Sequence, residues 1–328
     1  MNSFGALAAA LGLSLLIGSP AGAAGQAGKA ARIGVLRPAP DTPVFQRDFE
    51  GFRQALREQG YVEGANLAME YRVRPGTPAE VQALAEELVR LKVDAIVAIS
   101  ASGVTAAAKA TTAVPIVAMD LESEPIAAGY VATLARPGGN ITGVFLDFPA
   151  LSGKWLELLK ETIPRLTRVA LLWDPATGPA QAKAAEAAAR TLRLRLQLLE
   201  ARTPGDFEGA FRAAAKERAG AVLALSSAVF NSSRKQLADL ARRHRLPVMM
   251  PFPGFVEDGG LMAYGPDLRG MYRQAGAIAA KILGGVKPAD LPVEPPARFH
   301  FAVNLKTAKA LRLTIPPSIL VRADQMIQ

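Results

Sequence analysis

Hydrophobic positions along this chain follow two periods that take turns. Ile33-Gly34-Val35-Leu36 is a short apolar run of strand type, and Phe45, Phe49, Phe52 and Leu56 then recur at spacings of four, three and four, one face of a helix that Gly60 ends. Leu67, Met69, Tyr71 and Val73 alternate with Ala68, Glu70, Arg72 and Arg74, which predicts a strand near a sheet edge. Thr77-Pro78-Ala79-Glu80 sets an N-cap, a first-turn Pro and a capping-box Glu in register ahead of Val81, Leu84, Leu88 and Leu91. Residues 95–99 and 115–119 are apolar without alternation, as in parallel strands covered on both faces, and a helix over 103–112 separates them.

Arg136-Pro137-Gly138-Gly139-Asn140 is a strong turn signal, followed by a strand over 141–146. The pattern then starts afresh. Helices over 152–162, 179–192, 204–218 and 232–244 lead in turn to strands 168–173, 194–199, 221–225 and 247–250. Two successive units of this kind predict an α/β protein of two doubly wound, parallel-sheet domains. A tail follows: Gly259-Gly260-Leu261, a helix near 267–283, the Pro-rich 291–296, a strand around 299–303 and a helix near 304–312. It is too long for a loop and too short for a third domain. The economical arrangement has the chain crossing between the two domains more than once, which makes a hinged clamshell whose cleft lies where the carboxyl ends of both sheets face each other.

The amino terminus adds a destination. Residues 4–18 form an apolar run broken by Gly5, Gly12 and Ser14, and Ser19-Pro20-Ala21-Gly22-Ala23-Ala24 follows. The run is shorter than the ~20 residues of a membrane span and ends in small residues of Ala-x-Ala type, so residues 1–24 read as a secretory signal peptide cleaved after Ala23 or Ala24. Its n-region lacks Lys and Arg, and an uncleaved anchor or a mis-set start is the alternative. Periplasmic residence is the expectation. The chain has no Cys, which removes disulfides, thiolate metal sites, Cys nucleophiles and a lipid anchor on a leader cysteine. Only His244 and His300 supply imidazole, so a His-rich metal site is not expected. The net charge of +9 carries no basic block beyond Arg242-Arg243-His244-Arg245 at a helix end, where cations suit the helix dipole; nucleic acid is not an expected partner.

Enzyme motifs are missing. There is no Gly-x-Ser-x-Gly elbow, no Walker A loop and no Gly-x-Gly-x-x-Gly after the first strand, so the chain reads as a non-enzyme without cofactor or metal. The candidates are therefore binding residues in the loops after strands. Ser100, Ser102 and Gly103 open a helix whose free amides and hydroxyls suit a ligand carboxylate, although Ser102 serves equally as an N-cap. Asp120, Glu122 and Glu124 follow a buried strand and suit a ligand ammonium, with Asp120 or Glu124 the expected partner, or else these acids answer a helix dipole. Trp173 and Phe252 offer aromatic faces, either to a ligand or to the core. Ser226, with Ser227 and Asn231, offers polar contacts from the opposite wall.

Five blocks in order carry a resemblance: Gln59–Asn66, Leu134–Val144, Gly259–Gly265, Lys287–Glu294 and Asn304–Leu311. Together they resemble the substrate-binding proteins of ABC importers, in the branch related to tryptophan- and tyrosine-binding proteins, from about residue 32 to the C-terminus. The resemblance implies a type I periplasmic-binding-protein fold with a three-segment hinge, crossing near 142–146, 261–266 and 298–304. One lobe then comprises 32–143 plus 266–298 and the other 144–265 plus 299–328. It also implies a small-molecule ligand, an aromatic or other amino acid among the possibilities, delivered by a monomer to a membrane permease. Where the family often has Asp-Pro-Val this chain has Glu124-Pro125-Ile126, a difference in acid length that bears on the ligand. A receptor-facing sensor with the same clamshell, a two-domain enzyme and a repressor with the same core are the competing readings. The repressor needs a helix-turn-helix ahead of the first strand, and only the leader and mostly small residues precede Ile33.

Overall fold

The computed structural model describes residues 30–328; the expected signal peptide and its cleavage site lie outside the described residues. The first sheet is built from β1 (Ala31–Arg37), β2 (Leu67–Val73), β3 (Ala95–Ile99), β4 (Ile116–Asp120) and β5 (Ile141–Phe145), interleaved with α1 (Pro43–Glu58), α2 (Pro78–Arg90) and α3 (Ala101–Ala110). Its strands are all parallel, in the order β2-β1-β3-β4-β5. The order reverses direction between β1 and β3, and such a switch point opens a crevice at the carboxyl ends.

Both faces of this sheet are covered, as the unbroken apolar runs predict. Ile96 and Ala98 face Leu84 and Leu88 of α2 and Val104 of α3 in one core. Val97 and Ile99 join Phe45, Phe49 and Phe52 of α1 in another. The capping box forms as read: Thr77 accepts from Glu80 N, and Glu80 Oε2 accepts from Thr77 N at 2.7 Å.

The second half continues with α4 (Phe148–Thr162), β6 (Arg168–Trp173), α5 (Ala180–Thr191), β7 (Arg195–Glu200), α6 (Phe207–Lys216), β8 (Ala221–Ala224), α7 (Ala228–Ser232), α8 (Arg234–His244), β9 (Val248–Met250), α9 (Gly254–Glu257) and β10 (Met262–Pro266). After it come α10 (Leu268–Leu283), β11 (Phe299–Asn304), α11 (Leu305–Ala310), α12 (Pro317–Arg322) and β12 (Gln325–Ile327). The second sheet runs β12-β11-β10-β9-β8-β6-β7. It is not wholly parallel, because β10 and β11 pair antiparallel. The helix expected over 152–162 begins earlier, at Phe148, because Asp147 accepts from Ala150 N and Pro149 occupies the first turn.

The chain leaves the first sheet after Phe145 and joins the second from Arg168. It returns through α10, which packs along α1 in the first lobe, and goes back again into β11. The α1–α10 approach is close because both helices present glycine. A Cβ on Gly51 would lie 2.3 Å from Arg269 O, and one on Gly276 would lie 2.6 Å from Phe52 O. The two lobes share one continuous apolar core that includes Phe49 and Tyr272 on one side and Trp155 and Leu171 on the other. Among the described residues no helix is long and apolar enough to cross a membrane.

Candidate functional site

The carboxyl ends of the two sheets meet over a cavity of about 50 Å³. The first lobe supplies Arg37 at the end of β1, Ile99 and Ser100 after β3, Met119, Leu121 and Glu122 at and beyond β4, and Leu268 and Tyr272 of α10. The second supplies Ser226, Ser227, Ala228, Asn231 and Phe252, from the loops after β8 and β9 and from α7. The walls are therefore mostly apolar, with one acid and one guanidinium set among them.

Glu122 is the acid. Ser226 Oγ donates to Glu122 Oε1 at 2.6 Å, from one lobe to the other, and Ala101 N donates to Oε2 at 3.3 Å. Ser226 is itself fixed by Gln181, whose Oε1 accepts from Ser226 N at 2.9 Å. Burial, and next the adjacent Asp120 carboxyl, push the Glu122 carboxyl up to about 8. Asp120 is raised too, by burial, against the hydrogen bonds it accepts from Glu122 N and Ser123 N.

Arg37, 2% exposed, is the guanidinium. It donates to Pro40 O at 2.6 Å and reaches across the cleft to Ser232 Oγ at 2.6 Å and Ala228 O at 3.4 Å. Its Cζ lies 4.4 Å from the Phe45 ring centroid. Burial lowers its pKa, and burial pushes the Tyr272 hydroxyl beside it up to about 12. A third contact between lobes lies outside the cavity: Arg234 on α8 donates to Asp48 of α1 at 3.3 Å and to Asp258 at 2.6 Å.

The sequence-predicted residues divide. Ser100, Ser226 and Phe252 line the cavity. Asp120 stands behind Glu122, with Oδ1 spent on the two loop amides. Ser102 lines a neighbouring groove with Pro38, Asp174 and Thr203. Gly103 is buried against Pro38 rather than open to the cavity, and a Cβ added there would lie 3.3 Å from Pro38 Cδ. At the start of α3, where a ligand carboxylate is expected, Ala101 N donates to the protein's own Glu122. Glu124 does not reach the cavity: it is exposed, and its Oε2 accepts from Ala127 N at 2.6 Å to close a local turn. Trp173 is also absent from the cavity wall; its Nε1 donates to Gly178 O at 2.9 Å and its ring packs on the core. Among the described residues no cluster of three or more His, Cys, Asp or Glu is placed to hold a metal ion.

Comparison with known proteins follows the same outline. The family model described as ABC transporter substrate binding protein matches residues 33–327. The chain belongs to this substrate-binding protein family. A tyrosine-binding protein of Clostridioides difficile (strain R20291) is 26% identical over 272 residues, 82% of this chain and 77% of that protein. A conserved domain protein of Vibrio cholerae superposes with a TM-score of 0.81 at 26% identity, over 91% of this chain and 100% of that one. An ABC domain from Streptococcus pneumonia in complex with L-Trp gives 0.80 at 24% identity, with the same coverage. The type I periplasmic-binding fold, two α/β lobes with parallel-dominated sheets, is thus the fold of this substrate-binding protein.

In this family member the residues missed from the sequence are Arg37 and Tyr272, and of the three acids it is Glu122, not the preferred Asp120 or Glu124, that lines the cavity. Arg37 ends a strand directly after an apolar run, and a charged residue at that point in Ile33-Gly34-Val35-Leu36-Arg37-Pro38 is the signal that could have found it. Tyr272 lies on the face of α10 that also carries Met271, Ala275 and Ile278, and nothing local distinguishes it from core.

Proposed function

We propose that this chain is exported through residues 1–24 and works in the periplasm as the capture component of an ABC importer. It takes a small molecule, an aromatic or other amino acid or a related carboxylate, between a lobe of 32–143 plus 266–298 and a lobe of 144–265 plus 299–328. It then hands that molecule to the membrane permease. The observation that carries this reading is the cavity where the carboxyl ends of both sheets meet, closed by side chains that bond across it: Glu122 with Ser226 and Arg37 with Ser232. Those bonds are made only when the lobes approach, so hinge motion opens and closes the site. A ligand as large as tyrosine enters the open form and replaces some of these cross-lobe contacts with its own.

The test is a thermal-shift screen of the mature protein, unfolded and refolded to strip bound ligand, against amino acids, aromatic and aliphatic carboxylates, nucleosides and sugars. A ligand at ~100 times its dissociation constant adds about 2.7 kcal/mol, which raises the melting temperature by several degrees, on the order of 5. Phe252→Ala and Ser226→Ala should each weaken the compound that shifts wild type. A compound whose affinity ignores both substitutions binds elsewhere, and the cleft reading then fails.

A further inference from the structure

Two carboxyl groups sit together at the cavity, and their hydrogen bonds come from amides and one hydroxyl rather than from a cation. Asp120 is 0% exposed; its Oδ1 accepts from two loop amides, while Oδ2 has no partner. Glu122, 7% exposed, follows two residues on and is tied to Asp120 through its own amide, which donates to Asp120 Oδ1 at 2.9 Å. Its own oxygens face Ser226 Oγ and Ala101 N. Arg37, the guanidinium of the cavity, makes its hydrogen bonds to Pro40 O, Ala228 O and Ser232 Oγ instead of to either carboxyl. Two neighbouring carboxyls out of water, with no cation bonded to either, do not both ionise, so the pair keeps one proton, and the orphaned Asp120 oxygen is a place for it.

We propose that this pair holds one proton while the cleft is empty and exchanges it for the ammonium group of the ligand, so that the protein selects amines and releases a proton on capture. The proposal rests on the reading that the ligand sits in the interlobe cavity. In the exchange the shared O–H bond of the pair breaks, the proton goes to the buffer, and the ammonium N–H groups donate to the carboxylate oxygens. Charge balances: the empty pair with its proton carries −1, and the loaded pair, −2, with the ammonium, +1, also carries −1. The buried site therefore never takes on an extra charge, which is the condition for binding an ion there without a large desolvation cost. The other titratable groups around the pair are Arg37 on β1 and Tyr272 on α10, Tyr130 behind Asp120, and Asp174 across the cleft, which accepts from Ser227 Oγ at 2.7 Å. Burial holds the Tyr130 hydroxyl above the usual phenol range.

The experiment uses the refolded mature protein and three families of probe: L-tryptophan, L-tyrosine and L-leucine, each beside its decarboxylated amine and its deaminated acid. Calorimetry near pH 7 in phosphate and in Tris, buffers of different ionisation enthalpy, counts protons. The expected result is that every probe that binds carries the amine and releases about one proton. Affinity should rise about tenfold per pH unit between pH 6 and 7 and flatten above about 8. Glu122→Gln should abolish the proton release and that slope and weaken binding about 10- to 100-fold. A deaminated acid that binds as tightly as its amine overturns the proposal, as does an amine that binds without proton release. A binder that needs Phe252 yet releases no proton defeats only the exchange, whereas one indifferent to Phe252→Ala defeats the cleft reading beneath it. The ligand-free protein gives a further readout. Wild-type stability should fall as pH rises from about 5 to 8, because the folded pair binds its proton more tightly than the unfolded chain does, and Glu122→Gln should lack this slope; equal slopes overturn the proposal.

Discussion

Ser100 is the residue to change first, because the substitution should make the protein more stable. Its backbone lies at φ 73°, ψ 160°, a region that costs a non-glycine residue about 1–3 kcal/mol. The conformation is imposed from both sides: Ser100 N donates to Met119 O at 2.9 Å in the sheet, and Ser100 O accepts from Val104 N at 2.9 Å in the first turn of α3. Its side chain gives little back. Oγ makes no cap bond and lies 3.3 Å from Ser102 Oγ, worth about 0.5 kcal/mol. Ser100→Gly removes strain of about 2 kcal/mol, loses that hydrogen bond, and adds about 0.5–1 kcal/mol of unfolded-chain freedom. The net gain is roughly 0.5–1 kcal/mol, or about 2 °C in Tm. Ser100→Ala keeps the strain and loses the hydrogen bond, so it should fall below wild type by about 0.5 kcal/mol. Calorimetric melts of the three proteins therefore rank Gly above Ser above Ala. A glycine variant at or below wild type, or an alanine variant above it, refutes the strain argument.

The clamp at Arg234 separates lobe stability from lobe closure. Asp258→Asn leaves the buried guanidinium without its 2.6 Å partner in the same lobe and should cost about 3 kcal/mol in urea unfolding. Asp48→Asn weakens the 3.3 Å bond between lobes, and with it a half-exposed ion pair to Arg47 that contributes little, and should raise the open population several-fold, seen as a larger radius of gyration by X-ray scattering at nearly unchanged Tm. Gly265→Ala should cost about 3 kcal/mol or more, because the new Cβ would lie 2.0 Å from Pro251 O beside β10; a Tm within a degree of wild type would contradict that contact. Thr77→Ala opens the capping box of α2 and should lower the urea midpoint by the equivalent of about 1 kcal/mol at constant m-value.

What the sequence made legible and what it hid divide along the range of the interactions. The buried parallel strands were readable because a strand covered on both faces needs apolar residues at every position, and Ile96 and Val97 enter opposite cores as that rule requires. The capping box was readable because both partners lie within four residues. The short elements were not. β10 contains Gly265 and Pro266, and β12 is three residues long; β12 is a strand because β11 pairs with it, and β10 because β9 and β11 flank it. α7 and α9, at five and four residues, have too few turns to show a period.

The same limit governs the site. Three acids after a buried strand were visible as a cluster, but their roles are set by which loop amides each one meets. Asp120 is turned back by the amides of Glu122 and Ser123, and Glu124 is turned outward by that of Ala127. That leaves Glu122, the middle acid, as the one that meets Ser226 from the other lobe, 104 residues away. Arg37 belongs to the cavity through its bonds to Ala228 and Ser232 of the other lobe, and Tyr272 because α10 crosses back onto α1, a crossing that depends on the close approach at Gly51 and Gly276. A binding site made by lobe closure is thus written in pairs of residues far apart in sequence, each of which, taken alone, reads as ordinary core or ordinary loop.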